Sequence, residues 1–380
     1  MKIAIFCANY PPSYNEGGIS HYTQHLCRHL AERAEDILVV TDEDYCGSGT
    51  DGPIKVIRSQ GPWTHKIAKR MVQVMRNHGV DMINLQYSPP MYTTAFKFAW
   101  AYMARHFVST VSFHTLWGGS WINFLMALVL LVSADGVIAT NSEIVYLLKR
   151  YLTFFVGKTR FIPIGANIEP EEEKGNYRKI AMQYSLDPDI PVVAYFGMCY
   201  PGKGMDVLFE ATRMILERYR LNIQLLVIGG GISDIPEYVE EKRRLTSKLG
   251  IEDRVVWTGR IPSEEVSRLI SGCYVVVLPF ESGVSDRRGS LMAALAHGKA
   301  VVTNRPAVPV ELFENQENML WPENNDAGAI AETIVEVLQD SSLRQKLEKG
   351  AYDLARHFQW PVIARQTQTW FRDIMEDKKR

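Results

Sequence analysis

Residues Leu278–Asn304 read LPFESGVSDRRGSLMAALAHGKAVVTN. The stretch opens at the end of an apolar run, Tyr274–Leu278, and passes into a polar loop holding glycines 283 and 289 and two arginines. A small-residue helix is predicted from about Gly289 to His297, followed at once by an apolar strand, Lys299–Thr303. Two short strands joined through a helix need a crossover connection, so they lie parallel in one sheet. A loop that leaves a parallel strand and opens a helix presents unpaired backbone N–H groups and the positive end of the helix dipole, which suits a phosphate or sugar hydroxyls. Arg287 and Arg288 stand at that helix start, where cations are disfavoured unless an anion joins them. A solvated basic turn is the alternative for this loop taken alone.

The same alternation runs outward along the chain. In the N-terminal half, strands are predicted at Lys2–Ala8, Ile37–Thr41, Met82–Leu85, Val108–Phe113 and Gly136–Thr140. Helices fall at Ile19–Glu32, with a stripe of Ile19, Tyr22, Leu26 and Leu30, and at His65–Asn77, Thr93–His106, Trp121–Val132 and Glu143–Tyr151. The chain turns polar at Asn176 and restarts, with strands at Pro191–Phe196, Ile223–Gly229 and Val255–Thr258 and helices at Met205–Tyr219, Pro236–Leu249 and Ser263–Ile270. Two more strands with their helices are expected to close this half, and a last helix runs through Ala364–Met375. The fold class is therefore α/β, two Rossmann-like doubly wound domains, with ligands expected at the carboxyl ends of the strands, in a cleft between the halves. The expected boundaries are 1–172, 173–362 and a C-terminal helix at 363–380 that could return to the first domain.

At 380 residues, the chain is long enough for two ordinary cores. A formal net charge of -1 gives no reason to expect nucleic acid as a partner. The five cysteines (Cys7, Cys27, Cys46, Cys199, Cys273) are scattered without a C-x-x-C pair, which argues for a reducing compartment and against zinc or a disulfide framework. MKIAIFCANYPP is broken by proline too early for a signal peptide, so a cytoplasmic location is expected. His21, His25 and His29 recur along one helix edge, a spacing open to metal but better suited to a solvated or acceptor-facing edge. The apolar helix Trp121–Val132 is too short to span a bilayer. Core packing is its first reading; with Lys149, Arg150, Tyr151, Phe154 and Phe155 downstream, lying on a membrane surface is the second.

Several segments fall at strand ends. The loop ANYPPSYNEGG (8–18) lacks the G-x-G-x-x-G spacing of a dinucleotide site, but Gly17-Gly18 at a helix start leave room for a phosphate or sugar, or make a plain turn. His114 follows the strand Val108–Phe113; a lone histidine is more often structural than a ligand. Ser142 is read as a helix cap. In the second half, FGMCYPGKG (196–204) is a strand followed by a glycine-punctuated turn, with Lys203 at a helix entrance as a natural phosphate partner.

Taken in order, Gly17-Gly18, His114, Ile162-Pro163-Ile164-Gly165-Ala166, Phe196-Gly197 to Lys203-Gly204, Val227-Ile228-Gly229-Gly230-Gly231, Thr258-Gly259 and Ala294–Val302 (ALAHGKAVV) resemble the GT-B glycosyltransferases. Within these, the sequence is most similar to the retaining family called glycosyl transferases group 1, or family 4. The resemblance implies transfer of a hexose-type sugar from a UDP-, GDP- or ADP-linked donor, bound mainly by the second domain, to a glycan, lipid-linked or small-molecule acceptor, as in polysaccharide biosynthesis. It implies retention of configuration, with neither metal nor other cofactor. On this resemblance His114, Lys203 and Arg288 are the catalytic candidates. Donor contacts are expected from Gly17, Gly18, Gly197, Lys203, Gly229, Glu281, Ser282, Gly283, Val284, Ser285, Arg287, Arg288, Gly289, Ser290 and Leu291.

Two departures stand out. The family's arginine after the strand-end glycine is Met198 here, and its second glutamate is replaced by Gly289, Ser290 or Ala293, the first falling near Glu281 or Ser282. Arg287 and Arg288 are the candidates to supply the cation missing at Met198. A sugar-nucleotide epimerase and a catalytically silent sugar-nucleotide-binding subunit are the alternative functions.

Overall fold

The computed structural model describes residues 1–13, 17–42, 49–59, 64–171, 177–229 and 236–379. Its contacts divide the chain into two units, Met1–Asn167 with Gln359–Arg380, and Ile168–Phe358.

The first unit runs β1 (Lys2–Phe6), α1 (Gly18–Glu32), β2 (Asp36–Asp42), β3 (Thr50–Asp51), β4 (Ile54–Ser59), α2 (His65–Asn77), β5 (Met82–Tyr87), α3 (Thr94–Met103), β6 (Val108–Phe113), α4 (Trp121–Ser133), β7 (Gly136–Ala139), α5 (Ser142–Tyr151) and β8 (Thr159–Phe161). The sheet order is β3-β4-β2-β1-β5-β6-β7-β8, parallel except for β3 against β4. Successive side chains of a strand leave on opposite faces, and β1 shows the consequence. Ile3 and Ile5 join a core with Tyr22, Leu26 and Leu30 of α1, while Ala4 and Phe6 join the opposite core with residues of α2 to α5. Both faces are thereby covered, the condition for an all-apolar parallel strand.

The second unit runs α6 (Tyr177–Gln183), β9 (Val192–Phe196), α7 (Met205–Glu217), β10 (Gln224–Ile228), α8 (Pro236–Lys248), β11 (Val255–Gly259), α9 (Ser263–Gly272), β12 (Val275–Leu278), α10 (Gly289–Ala296), β13 (Val301–Thr303), α11 (Ala327–Gln339) and α12 (Ser341–Ala355). Its sheet, β11-β10-β9-β12-β13, is parallel throughout. The chain ends in α13 (Trp360–Asp377), which packs on α1 in the first unit through Trp360, Ile363, Ala364 and Phe371. The Trp360 indole donates to the Ala166 carbonyl at 2.8 Å, and its ring lies where a side chain on Gly165 would stand, 2.6 Å from a built Cβ. That contact explains the glycine in the IPIGA segment.

Some sequence expectations need correction. β3, β4, β8 and α6 were not predicted; β3, β8 and α6, of two, three and seven residues, carry too few turns of periodicity to register. Only one of the two closing strands forms among the described residues. After β13 the chain makes an isolated bridge at Leu320 to Val302 and proceeds to α11, since the intervening stretch is rich in proline, asparagine and glutamate. The cap of α5 is Asn141, whose side chain accepts from the Ile144 N–H at 3.2 Å, and Ser142 is the first helical residue. On the α1 histidine edge, half-buried His25 stacks on Trp360 with ring centroids 5.0 Å apart, and half-buried His29 lies 6.2 Å from the same ring. In the α1 stripe, Tyr22, Leu26 and Leu30 are buried and Ile19 only partly. On α4, Ala127, Leu130 and Leu131 enter the core, but Trp121, Ile122, Leu125 and Val132 are exposed, so core packing accounts for one face only. Cys7, Cys27, Cys199 and Cys273 are buried and form no disulfide among the described residues; Cys46, Gly230 and Gly231 lie outside the described residues.

Candidate functional site

In the second unit the loops after β9 and β12 are built against each other. Gly204, the N-cap of α7, has φ 70°, and a Cβ there would sit 1.9 Å from the Pro279 carbonyl oxygen. Gly229, at the end of β10, has φ 123° with a Cβ position 2.3 Å from the Gly197 carbonyl oxygen. Only glycine meets both the left-handed backbone and the close approach. The Glu281 N–H donates to the Gly202 carbonyl at 3.2 Å, tying the two loops together.

This junction gathers two cations on one ring. The Lys203 ammonium lies 5.0 Å from the Phe280 ring centroid and 4.7 Å from that of Tyr200; the Arg288 guanidinium lies 4.6 Å from Phe280 and donates to Ser282 Oγ at 3.0 Å. Lys203 is 6% exposed and makes no ion pair among the described residues. Burial pushes its pKa down and the Arg288 charge adds to this, against an opposing pull from Tyr200. The other buried lysine of this unit, Lys242, is held by Asp206 at 2.6 Å and Glu241 at 2.8 Å, and its pKa is raised although burial alone would lower it. A desolvated ammonium is stabilised by anions and destabilised by like charge, so Lys203 is poised for an anion where Lys242 already has two.

The remaining predicted residues of this loop divide by exposure. Glu281, Ser282 and Arg287 are exposed; Arg288, Gly289 and Ser290 are partly so. Gly283, Val284 and Leu291 are buried: Gly283 backs onto the Arg305 carbonyl, and the Val284 N–H donates to the Asn304 carbonyl at 3.1 Å. Only their backbone is available to a ligand. Ala293 is fully buried, so it has no room for the family's second glutamate, while Gly289 has open space around a built Cβ. Met198 is 49% exposed, with its carbonyl taking the Tyr195 hydroxyl. Phe280, Tyr200, Ser285 and Asn304 give this site its shape, and only Ser285 was singled out from sequence. Ser285 Oγ and Asn304 Oδ1 are buried without hydrogen-bond partners, an arrangement rarely left unfilled in a resting protein. Nothing in the local sequence of Asn304 marks it, because β13 brings it under the loop only after folding.

In the first unit, His114 follows β6 and is 8% exposed. Its backbone N–H donates to the Tyr87 carbonyl, Asn141 Nδ2 donates to its carbonyl, and its Nε2 lies 2.9 Å from Gln86 Oε1. Burial pushes the imidazole down to about 3, so it is neutral at ordinary pH. Gln86 belongs to a buried polar strip with Asn84, Thr110 and Ser112, on the face of the sheet that Met82 shares with α1 and α13. Strand alternation makes such a strip visible in MINLQY and VSTVSF, but nothing in the spacing distinguishes a ligand network from a satisfied core. Gly17 and Gly18 open α1, with nothing within 4 Å of a built Cβ at either. No backbone strain or neighbour explains these two glycines, in contrast to Gly204 and Gly229. No group of His, Cys, Asp or Glu suited to a metal ion occurs among the described residues, and no described helix is long and apolar enough to cross a membrane.

Two family models match the chain in succession, Glycosyltransferase Family 4 over residues 16–170 and Glycosyl transferases group 1 over residues 177–354. D-inositol 3-phosphate glycosyltransferase of Corynebacterium efficiens is 30% identical over 185 residues, 47% of this chain and 42% of that protein. The chain spans about half the length of the curated relatives it matches. Sucrose-phosphate synthase from Thermosynechococcus elongatus superposes with a TM-score of 0.78 at 22% identity, covering 99% of both chains. Anabaena HepE in complex with UDP and glucose gives 0.74 at 18% identity, covering 98% of this chain and all of that one. Identities this low carry the fold alone, and the fold, the order of the strand-end motifs and the two successive family models agree: the chain belongs to the group 1, family 4 glycosyltransferases and has the GT-B fold.

Proposed function

We propose that the protein moves a hexose-type sugar from a nucleotide-sugar donor to a hydroxyl-bearing acceptor, with retention of configuration. The observation that carries this reading is Lys203, an ammonium kept out of water beside Arg288 and without the carboxylates that neutralise Lys242. A desolvated ammonium without a carboxylate partner suits an anionic ligand, and a diphosphate is one. The N-termini of α7 and α10 arise from the same two loops and add unpaired N–H groups. A relative named for glycosyl transfer to an inositol phosphate and a neighbour solved with UDP and glucose support this donor class.

In the proposed reaction the bond from the anomeric carbon to the diphosphate oxygen breaks as the acceptor oxygen bonds that carbon from the same face. The acceptor proton passes to the departing phosphate oxygen. Charge then grows on the diphosphate, and Lys203 and Arg288 bind it more tightly in the transition state than in the ground state. His114 is neutral and addresses a sugar hydroxyl without exchanging a proton. The scheme uses no metal and no other cofactor.

A thermal-shift series with UDP, GDP, ADP and their sugars tests this. One nucleoside diphosphate is expected to stabilise by about 2.7 kcal/mol at a hundredfold excess over its dissociation constant. Donor consumption is expected only with an acceptor hydroxyl present. An epimerised donor without acceptor makes the protein an epimerase, and binding without turnover makes it a silent subunit. No stabilisation by any nucleotide sinks the reading.

We infer, as a second element, peripheral contact with an anionic membrane. Trp121, Val132, Tyr151 and Phe154 are exposed, and Trp117 touches the rings of both Phe124 and Tyr151, joining α4 to the end of α5. Exposed Lys149 and Arg150 adjoin them, and residues 82–134 contain no Asp or Glu. Aromatics beside lysine and arginine on an acid-poor surface match an interfacial setting. Sedimentation with anionic vesicles but not neutral ones, lost in Trp121→Ser with Phe154→Ser, is the expected result; equal recovery with both vesicles removes this element.

A further inference from the structure

The polar strip inside the first unit's sheet has a direction. Thr110 Oγ1 directs its proton at the Ile83 carbonyl, 3.5 Å away, and accepts from Asn84 Nδ2 at 3.0 Å. Ser112 Oγ takes the second Asn84 proton at 3.0 Å. Asn84 Oδ1 is therefore the acceptor for Gln86 Nε2, at 2.6 Å, and Gln86 turns its Oε1 toward His114 Nε2, at 2.9 Å. A carbonyl oxygen only accepts, so the proton of a neutral His114 resides on Nε2. Asn84, Gln86 and Ser112 are fully buried; reversing Gln86 alone would set two carbonyl oxygens 2.6 Å apart, and reversing both amides would turn the Thr110 hydroxyl from the Ile83 carbonyl to Asn84. The ring plane is fixed as well, by the Tyr22 ring packed edge-on at 4.8 Å.

We propose that Asn84 and Gln86 are positioning residues that lock His114 as its Nε2–H tautomer, so that Nδ1 offers a lone pair to a sugar hydroxyl. Nδ1 makes no hydrogen bond among the described residues. The opposite tautomer would present an N–H there and would suit an acceptor atom, so the strip sets which partner the histidine recognises. The hydroxyl contact rests on the glycosyl-transfer reading above. The lock does not, being a property of the ligand-free chain.

The experiment is long-range proton–nitrogen NMR on the full chain labelled at histidine nitrogens, with the His114 signals identified by their loss in His114→Gln. A pyrrole-like Nε2 and a pyridine-like Nδ1 are expected in the parent, with averaging of the two in Gln86→Met. A pyridine-like Nε2 in the parent, or an unchanged pattern in Gln86→Met, overturns the lock. Addition of UDP-glucose, with UDP as control, is expected to move Nδ1 for the sugar nucleotide alone. Shifts elsewhere without one at Nδ1 overturn the hydroxyl contact, while no shift anywhere counts against the donor reading and leaves the lock standing. In turnover, Gln86→Met is expected to lose roughly fivefold to tenfold in kcat/KM with the UDP dissociation constant unchanged; equal loss in both reduces Gln86 to a structural role.

Discussion

The two units share one architecture and treat polarity at their strand ends in opposite ways. In the first unit, neutral groups are buried together: Asn84, Gln86, Ser112 and His114 bond one another inside the sheet, with no cation bonded to them among the described residues. In the second, the central strands are apolar, and polarity is deferred to the loops, where Lys203 and Arg288 are packed on aromatic faces. Each unit is thereby prepared for a different chemistry. A network of amides and a neutral imidazole recognises hydroxyls by direction, whereas a desolvated ammonium such as that of Lys203 recognises charge and is stabilised by an anion.

The glycines break the comparison most sharply. Gly204→Ala places a methyl on the Pro279 carbonyl at a left-handed φ, and a loss of roughly 3–5 kcal/mol in denaturant unfolding is expected; a variant as stable as the parent would show that the loop junction relaxes freely. Acid separates the units next. Burial depresses His114 to about 3, and burial with the charges of His29, Arg28 and His21 depresses His25 to about 4. Both stay neutral in the folded chain while the unfolded chain takes up protons near pH 6.5, so the stability they contribute is complete above that pH and is lost as pH falls toward 4 and then 3. At pH 5 the loss is about 2 kcal/mol for His114 and less for the partly exposed His25. Denaturant midpoints across this range should flatten in His114→Gln, and an unaltered slope would mean that His114 is charged in the fold.

Lys203→Met probes the cation side. Removing a buried ammonium that has a like-charged neighbour should leave stability equal or higher, while donor binding weakens by roughly 1.5–3 kcal/mol. Lys242→Met, which lacks that role, should leave donor affinity alone; parallel losses in the two would sink the distinction drawn between them. Arg288→Ala is expected to weaken donor binding by about 1–2 kcal/mol, with partial recovery on adding Met198→Arg, since Met198 is exposed at the end of the neighbouring strand. Calorimetric titration with the nucleoside diphosphate decides it, and no recovery means that position 198 does not reach the same oxygens. The smallest effect is expected at Gly18→Ala, which meets open space at the first residue of α1 and should change stability by less than about 1 kcal/mol, in the stabilising direction.

Much of the fold was legible because its signals are local. β6 and α2 were read to the residue, since VSTVSF is a bounded β-rich run and His65–Asn77 carries a full helical stripe. Glycine at 204 and lysine at 203 were legible as a strand-to-helix turn for the same reason. β3 and β8 were not, because two or three residues acquire their strand character from the neighbour they pair with. Within the site, local order along the chain already places the residue types at each strand end: the glycines, His114, Lys203, and the arginines of the opening loop. Tertiary structure alone decided that Phe280 carries both Lys203 and Arg288, that Asn304 lies beneath that loop, that Gln86 faces His114, and that Trp360 fills the space left by Gly165. The reason is physical: backbone propensity and hydrophobic period act over a few residues, while burial, charge proximity and the direction of a hydrogen bond are set by partners tens to hundreds of positions away, and only packing brings those together.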